Sequence, residues 1–324
     1  MFPALLPVRV LARQALTPDI VCLDLVHADG LPLPAYEPGA HIDLHTPSGF
    51  VRPYSLCQDH HPDAPHRPYR VAVLRDEASR GGSQSVHAQL HEGSRLHVSP
   101  PRNFFPLHEA APHSLLLAGG IGITPLLAMA ERLHARQRTF SLHLCARSRL
   151  HAPFWPALSQ GPLGAHVQLH PDDDATRALD LRRVLAASTP GTHVYVCGPR
   201  GFMDTMLATA RQMGWPEAQL HSESFSPAPP PDATATGTFE VELARSGRII
   251  TVGPSQTVAT ALLACGVNVP LSCEQGLCGT CGTRVLAGEI DHRDFHLSAH
   301  EQAAHDQMMV CCSRARSPRI VLDL

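Results

Sequence analysis

From residue 1 to about 108, short apolar runs alternate with Pro, Gly and Asp punctuation: VRVLARQAL, IVCLDLV, AHIDLHT, YRVAVLR and SRLHVSP. Strands recurring about every ten residues with turns between them predict a small antiparallel barrel. From about 113 to 225 the rhythm changes. LLLAGG reads as a strand entering a glycine turn, PLLAMAERLHARQ as a helix, FSLHLCAR and HVYVCGP as strands, and GFMDTMLATARQMG as a helix. Strands alternating with helices predict a parallel sheet. SPAPPPDATATGT, 226–238, is proline-rich and polar and reads as a linker. Beyond it, 239–324 reads as one more compact unit. The pattern therefore predicts a multidomain α+β chain: a β-barrel over 1–108, an α/β domain over 109–225, a linker over 226–238 and a C-terminal domain over 239–324. No internal repeat is visible.

Composition narrows the chemistry. The 324 residues are 44% hydrophobic and 17% charged, enough apolar material for several cores. A net charge of −3 gives no reason to expect nucleic acid or an anionic membrane as the main partner. All 26 basic residues are arginine. Without lysine there is no Walker A loop and no Schiff-base lysine, so anion sites must use arginine, hydroxyls, backbone N–H groups and helix ends. MFPALLPVRVLARQ has no basic leader before an apolar stretch, so a cytoplasmic protein is expected. Residues 114–130, SLLLAGGIGITPLLAMA, are uncharged but too short and too interrupted by Gly and Pro for a membrane span; they read as strand, turn and helix start.

The ten cysteines, with no export signal, argue for metal binding over disulfides. Cys273-x4-Cys278-x2-Cys281, followed at a distance by Cys311, has the plant-type [2Fe–2S] spacing. One short loop can bring three thiolates to two irons, and a distant segment supplies the fourth. Gly276, Gly279 and Gly282 allow the loop to wrap and its N–H groups to approach sulfur. A structural zinc site and buried free thiols are the competing readings. Zinc sites usually place a CxxC pair on each side, and Cys311-Cys312 is not one, which favours iron–sulfur. Cys312, Cys22, Cys57, Cys145 and Cys265 read as packing residues. The 22 histidines show only near-neighbour pairs such as His41/His45 and His87/His91, and the absence of Cys-x-His argues against a Rieske centre in this chain.

Two glycine turns follow buried strands. Gly119-Gly120-Ile121-Gly122-Ile123-Thr124-Pro125 suits close approach of a pyrophosphate, with Thr124 expected as helix N-cap and Pro125 as first helical residue. Cys197-Gly198-Pro199 ends a second strand, and ligands gather at such carboxyl ends. Arg52-Pro53-Tyr54-Ser55 and Arg80-Gly81-Gly82-Ser83-Gln84-Ser85 combine arginine, hydroxyls and glycine N–H groups in a phosphate cradle without lysine.

RPYSLC, RGGSQSVH, PPRNFFPL, AGGIGITP, ARSRLHAPF, YVCGPRGFM, HSESF and the cysteine motif occur in one order along nearly the whole chain. In this the chain resembles the phthalate dioxygenase reductase family, which includes vanillate O-demethylase reductases. The resemblance implies an FMN-binding barrel, an NADH-binding α/β domain and a β-grasp ferredoxin domain. It implies that Arg52, Tyr54 and Ser55 hold the flavin ring and ribityl chain. Val73, Leu74 and Arg75 would line the FMN site, and Arg80, Gly82, Ser83 and Gln84 would bind its phosphate. It further implies that Thr124 reaches the flavin or nicotinamide, that Gly120, Gly122, Cys197, Gly198 and Pro199 border NADH, and that Phe225 covers the flavin. Val73 and Leu74 equally suit a sheet core. Arg147-Ser148-Arg149 follows a strand where a ribose would lie, which leaves NADPH open. The activity implied is an NADH-oxidising reductase. Its electrons would pass through FMN and a [2Fe–2S] cluster, singly, to a separate oxygenase, expected to be Rieske-type and to act on an aromatic substrate. An electron carrier without NADH oxidation, a reductase for a cytochrome P450 and FAD in place of FMN are the alternatives.

Overall fold

The computed structural model describes residues 4–59, 67–76, 81–225, 237–271, 274, 276, 279–294 and 296–324. Arg80, Cys273, Cys278 and the 226–236 part of the expected linker lie outside the described residues. The chain divides into two compact units, Met1–Phe225 and Ser226–Leu324.

The first unit opens with β1 (Leu6–Thr17), β2 (Ile20–His27), β3 (Ala40–His45), β4 (Val51–Ser55), β5 (Tyr69–Leu74), α1 (Gly82–Gln89), β6 (Arg95–Val98) and β7 (Arg102–Asn103). The strands pair in the order β4-β3-β6-β1-β2-β5, with β7 on β3, and every pair is antiparallel. Leu56, just after β4, bridges Val71 in β5, so the two edges of the curled sheet meet at a single point. Alternation drives it: Val8, Val10, Leu23, Leu25, Ile42, Leu44, Val71 and Val73 share one buried core. α1 was not foreseen; the glycine-rich stretch reads as a loop. Its start needs Gly81, held at φ 101°, and it carries no apolar stripe, burying only Gly82, Ser85 and Val86. Val86 and Leu90 join the barrel core.

The same unit continues with β8 (Ser114–Gly119), α2 (Ile123–Ala135), β9 (Phe140–Ala146), α3 (Trp155–Gln160), β10 (Val167–Pro171), α4 (Leu181–Ala186), β11 (His193–Cys197), α5 (Arg200–Gln212) and β12 (Leu220–Glu223). The sheet order is β10-β9-β8-β11-β12, all parallel. All six residues of central β8 are buried, as a strand covered on both faces requires. Leu116 and Ala118 face a core shared with α2, whereas Leu115 and Leu117 face α4 and α5. The helix start differs from expectation. A 3-10 turn, Gly120–Gly122, already begins the winding, so Gly122 is the N-cap of α2. Thr124 is buried inside the first turn and donates its Oγ1 hydrogen to the Ile121 carbonyl at 3.0 Å. Pro125 is tolerated at the third helical position because the first N–H groups of a helix have no intrahelical acceptor.

The second unit comprises β13 (Phe239–Leu243), β14 (Arg248–Val252), α6 (Val258–Ala264), β15 (Gly282–Ala287), β16 (Ile290–Asp291), α7 (Ala299–Ala304), β17 (Gln307–Met309), β18 (Arg314–Ala315) and β19 (Arg319–Leu322). Its mixed sheet runs β14-β13-β19-β15-β17, with β13 and β19 parallel. In β13, Phe239, Val241 and Leu243 point into the core, while Glu240 and Glu242 meet Arg319 outside. Among the described residues, no helix is long and apolar enough to cross a membrane.

Candidate functional site

The RPYS and RGGS segments, about thirty residues apart, meet in space. β4 carries Arg52 to the start of α1, where a Cβ on Gly82 would lie 2.7 Å from Arg52 Cγ. Only glycine lets the arginine lie over the helix start. Gly81 as N-cap offers no side chain to the first turn, so α1 presents its N–H groups, with Ser83 and Gln84, beside a guanidinium. That donor set fits a phosphate. Tyr54 is half-buried on the same strand, and burial pushes its hydroxyl up to about 12. Val73 belongs to the barrel core, and its carbonyl is hydrogen-bonded to His87 at 2.9 Å. Leu74 is half-buried and Arg75 exposed at the end of β5.

The two glycine turns of the parallel sheet pack on each other. A Cβ on Gly122 would strike the Cys197 carbonyl oxygen at 2.2 Å, and one on Gly198 would strike Gly119 Cα at 2.8 Å. These glycines are therefore demanded by backbone contact between strand ends. Gly120 is different: its φ is 53° and nothing lies within 4 Å of where its Cβ would be. It is the glycine that leaves room for a ligand. Cys197 and Gly198 are buried and Pro199 is exposed at the start of α5. Burial holds the Cys197 thiol well above its usual range, so it is not a thiolate.

Barrel and sheet meet at a carboxyl group that sequence reasoning left without a role. Ser55 Oγ, at the end of β4, donates to Glu223 Oε2 at 3.1 Å. Glu223 ends β12 and pairs in register with Cys197. Burial pushes its carboxyl up to about 7, against a smaller opposing effect of the Ser55 hydrogen bond. The signal lay in HSESF, an acid between two small polar residues before the aromatic Phe225, which packs partly buried on the α/β core. Because the folded chain holds this proton up to about pH 7 and an unfolded one releases it near 4.5, stability falls as pH rises between those values. Glu223→Gln should flatten that slope and stabilise the protein at pH 8 by at most about 3 kcal/mol, measured by denaturant titration across pH.

Arg147 is exposed after β9, and its Nη2 donates to Asp19 Oδ2 of the barrel at 2.7 Å.

In the second unit, Cys281 and Cys311 are buried and their thiols are in hydrogen-bond contact, although thirty positions separate them. Between α6 and β15 the chain turns through left-handed residues, Glu274, Gly276 and Gly279, with φ of 54°, 72° and 69°. A Gly276 Cβ would strike Cys312 Sγ at 2.5 Å, and the Gly276 N–H is directed at Cys311. Cys281 draws the Cys311 pKa down, but Cys312 and burial outweigh it and push it up to about 12. Buried thiols become thiolates only beside a cation, which suits a metal cluster. Cys22 and Cys57 are buried, Cys145 and Cys265 half-buried.

Comparison with known proteins agrees with this geometry. Residues 241–316 match the 2Fe-2S iron-sulfur cluster binding domain, and residues 94–220 match the N-terminal domain of dimethylamine monooxygenase subunit DmmA-like proteins. A vanillate O-demethylase oxidoreductase from a Pseudomonas species is 48% identical over 321 residues, covering 99% of this chain and all of that protein. The solved structure of phthalate dioxygenase reductase, a modular structure for electron transfer from pyridine nucleotides to [2Fe–2S], is 39% identical with a TM-score of 0.76, covering 99% of this chain and 98% of that one. An intact type IV self-sufficient cytochrome P450 monooxygenase is 37% identical with a TM-score of 0.83; this chain is covered to 99% but spans 41% of that protein. With near-complete coverage at these identities, and with a cluster-binding domain that follows a flavin-type barrel and a parallel nucleotide sheet along the sequence, the chain belongs to the phthalate dioxygenase reductase family of oxidoreductases.

Proposed function

We propose that this chain oxidises NADH and passes the electrons through FMN and a [2Fe–2S] cluster to a separate Rieske-type oxygenase acting on an aromatic substrate. The carrying observation is the junction of Ser55 with Glu223. It sets the flavin end of the barrel against the carboxyl edge of the parallel sheet, where ligands of such sheets bind. We assign the barrel to 1–108, the nucleotide domain to 109–225, a linker to 226–238 and the ferredoxin domain to 239–324.

Bound FMN would turn a two-electron donor into single electrons, which a [2Fe–2S] cluster held by Cys273, Cys278, Cys281 and Cys311 can relay. The chain's own residues do the rest. Arg80 and the start of α1, with Gly82, Ser83 and Gln84, neutralise the flavin phosphate, and Arg52 beside them holds the ring and ribityl chain. Tyr54, Ser55, Val73, Leu74, Arg75 and Phe225 border the flavin. Gly120 leaves room for the dinucleotide, and Gly122, Thr124, Cys197, Gly198 and Pro199 shape its nicotinamide end. Glu223, kept protonated toward neutrality by burial, puts a neutral carboxyl at the junction of barrel and sheet. Arg147 is engaged by Asp19, which favours NADH over a cofactor whose 2′-phosphate would need that arginine.

The vanillate O-demethylase relative supports an aromatic O-demethylase or dioxygenase partner, whereas the self-sufficient P450 supports a haem partner. Anaerobic NADH titration of purified protein, with mass spectrometry of the released flavin, should bleach flavin and then cluster and should release FMN. Mixing the reduced protein with a Rieske oxygenase and with a P450 decides the acceptor. Reduction of the P450 alone would overturn the partner, and no bleaching by NADH would leave only a carrier.

A further inference from the structure

The fold assembles a histidine cluster that none of the chemistry above uses. His193 opens β11 and His221 lies on the neighbouring strand β12, while His108 comes from the segment before β8. One nitrogen from each lies within 4.8 Å of the others. His193 Nδ1 and His221 Nε2 are 2.8 Å apart and share a proton. The rings crowd together: His193 and His221 are nearly parallel, 13° apart with centroids at 5.0 Å, His108 lies 4.9 Å from His221, and His108 is tilted by 40° against His193 at 4.8 Å. The backbone beneath is fixed. Two ligands sit on paired parallel strands, and the His108 N–H donates to the Tyr195 hydroxyl at 2.8 Å, with Tyr195 itself stacked on His221 at 4.7 Å.

We propose that His108, His193 and His221 bind a divalent first-row transition-metal ion of the imidazole-preferring class, such as Zn2+. Three nitrogens around a tetrahedral zinc, each 2.0–2.1 Å from it, stand about 3.4 Å apart. The strand pair is already closer than that, and His108 closes the remainder by rotating side-chain torsions. In the strand pair the ion replaces the shared proton, and the donor ring moves that proton to its other nitrogen, so no net proton is released. His108 is exposed, which leaves a fourth position to water. Imidazole donors with no carboxylate select Zn2+, Ni2+ or Cu2+ over Mg2+ and Ca2+. The site lies at the amino end of β11. Four residues along the strand, about 13 Å away, stands Cys197 of the nucleotide edge. An ion here would pin the 104–113 segment, between barrel and sheet, to β11 and β12.

The test is calorimetric titration of the full-length holoprotein with Zn2+, beside His108→Gln and the double variant His193→Gln/His221→Gln. Losing a group that merely supports a ligand costs about 10–100-fold in metal affinity, so each variant should weaken one zinc equivalent by at least that. Mg2+ should give no competing heat. Zinc should also raise the melting temperature of the parent protein and not that of His108→Gln. His108 is exposed and off the sheet, so this variant stays informative if the strand double variant does not fold. Unchanged zinc stoichiometry and affinity in His108→Gln, or equal binding of Mg2+, would overturn the proposal.

Discussion

Cys311→Ser is expected to give a protein that oxidises NADH with ferricyanide as acceptor at the parental rate but delivers no electrons above background to a one-electron protein acceptor. The [2Fe–2S] absorption should vanish, leaving a flavin spectrum. Serine matches the buried cysteine in size, so packing beside Val310 and α6 persists, where Ala259 donates its N–H to the Val310 carbonyl at 2.8 Å. What disappears is a soft thiolate that iron requires. Cys312→Ser is the internal control. Its sulfur contacts Gly276 and faces the Met309 carbonyl, and the variant should retain the cluster. Because metal-binding energy is also folding energy, the second unit of Cys311→Ser should melt earlier as well. Flavin reduction by NADH lost together with the cluster would contradict a modular electron path.

Arg132→Met is expected to destabilise the first unit by about 3–5 kcal/mol. Arg132, on α2, is 8% exposed and its Nε reaches both carboxylate oxygens of Asp59, itself 5% exposed, at 2.9 and 3.1 Å. Its Nη1 also meets Glu37 at 2.8 Å and Glu109 at 2.7 Å. Three carboxylates from the barrel and the segment beyond it are thus held by one helix cation. Removing one partner of a buried pair leaves an uncompensated charge and costs about 3–5 kcal/mol. In a unit of this size that is roughly 10 °C of melting temperature. The double variant Asp59→Leu/Arg132→Met should recover most of the loss, since an apolar pair of similar volume is often as stable. A shift of under about 2 °C for the single variant, below the effect of 1 kcal/mol, would show that the four-residue network carries little. The barrel would also lose a fixed seat on α2, so the Ser55–Glu223 contact should loosen and NADH oxidation slow.

The sequence was most informative where chemistry demands local spacing. Cys273, Cys278 and Cys281 advertise a cluster because one loop must deliver three sulfurs, and the apolar run 114–119 advertises a central parallel strand because both its faces are covered. It was less informative about caps. The hydroxyl of Thr124 before a proline looks like a helix start, but Gly120 and Gly122 had already begun the turn, a choice made by backbone packing against Cys197 and Gly198. It was silent about α1, whose few buried residues leave no periodic stripe.

The spacing of the four cysteines pointed to a [2Fe–2S] cluster, and the hydrophobic rhythm separated a β-rich from an α/β stretch; the flavin and nicotinamide roles came only through the order of motifs that the chain shares with a known family. Only the tertiary structure decided that Arg52 lies over Gly82, that Glu223 meets Ser55 across 168 positions, that Arg132 gathers three acids, and that His108, His193 and His221 share one corner of the sheet. These depend on strand order and on burial. A carboxyl raised toward neutrality exists only once distant segments exclude water together, and three imidazoles come within reach of one another only once those segments lie side by side.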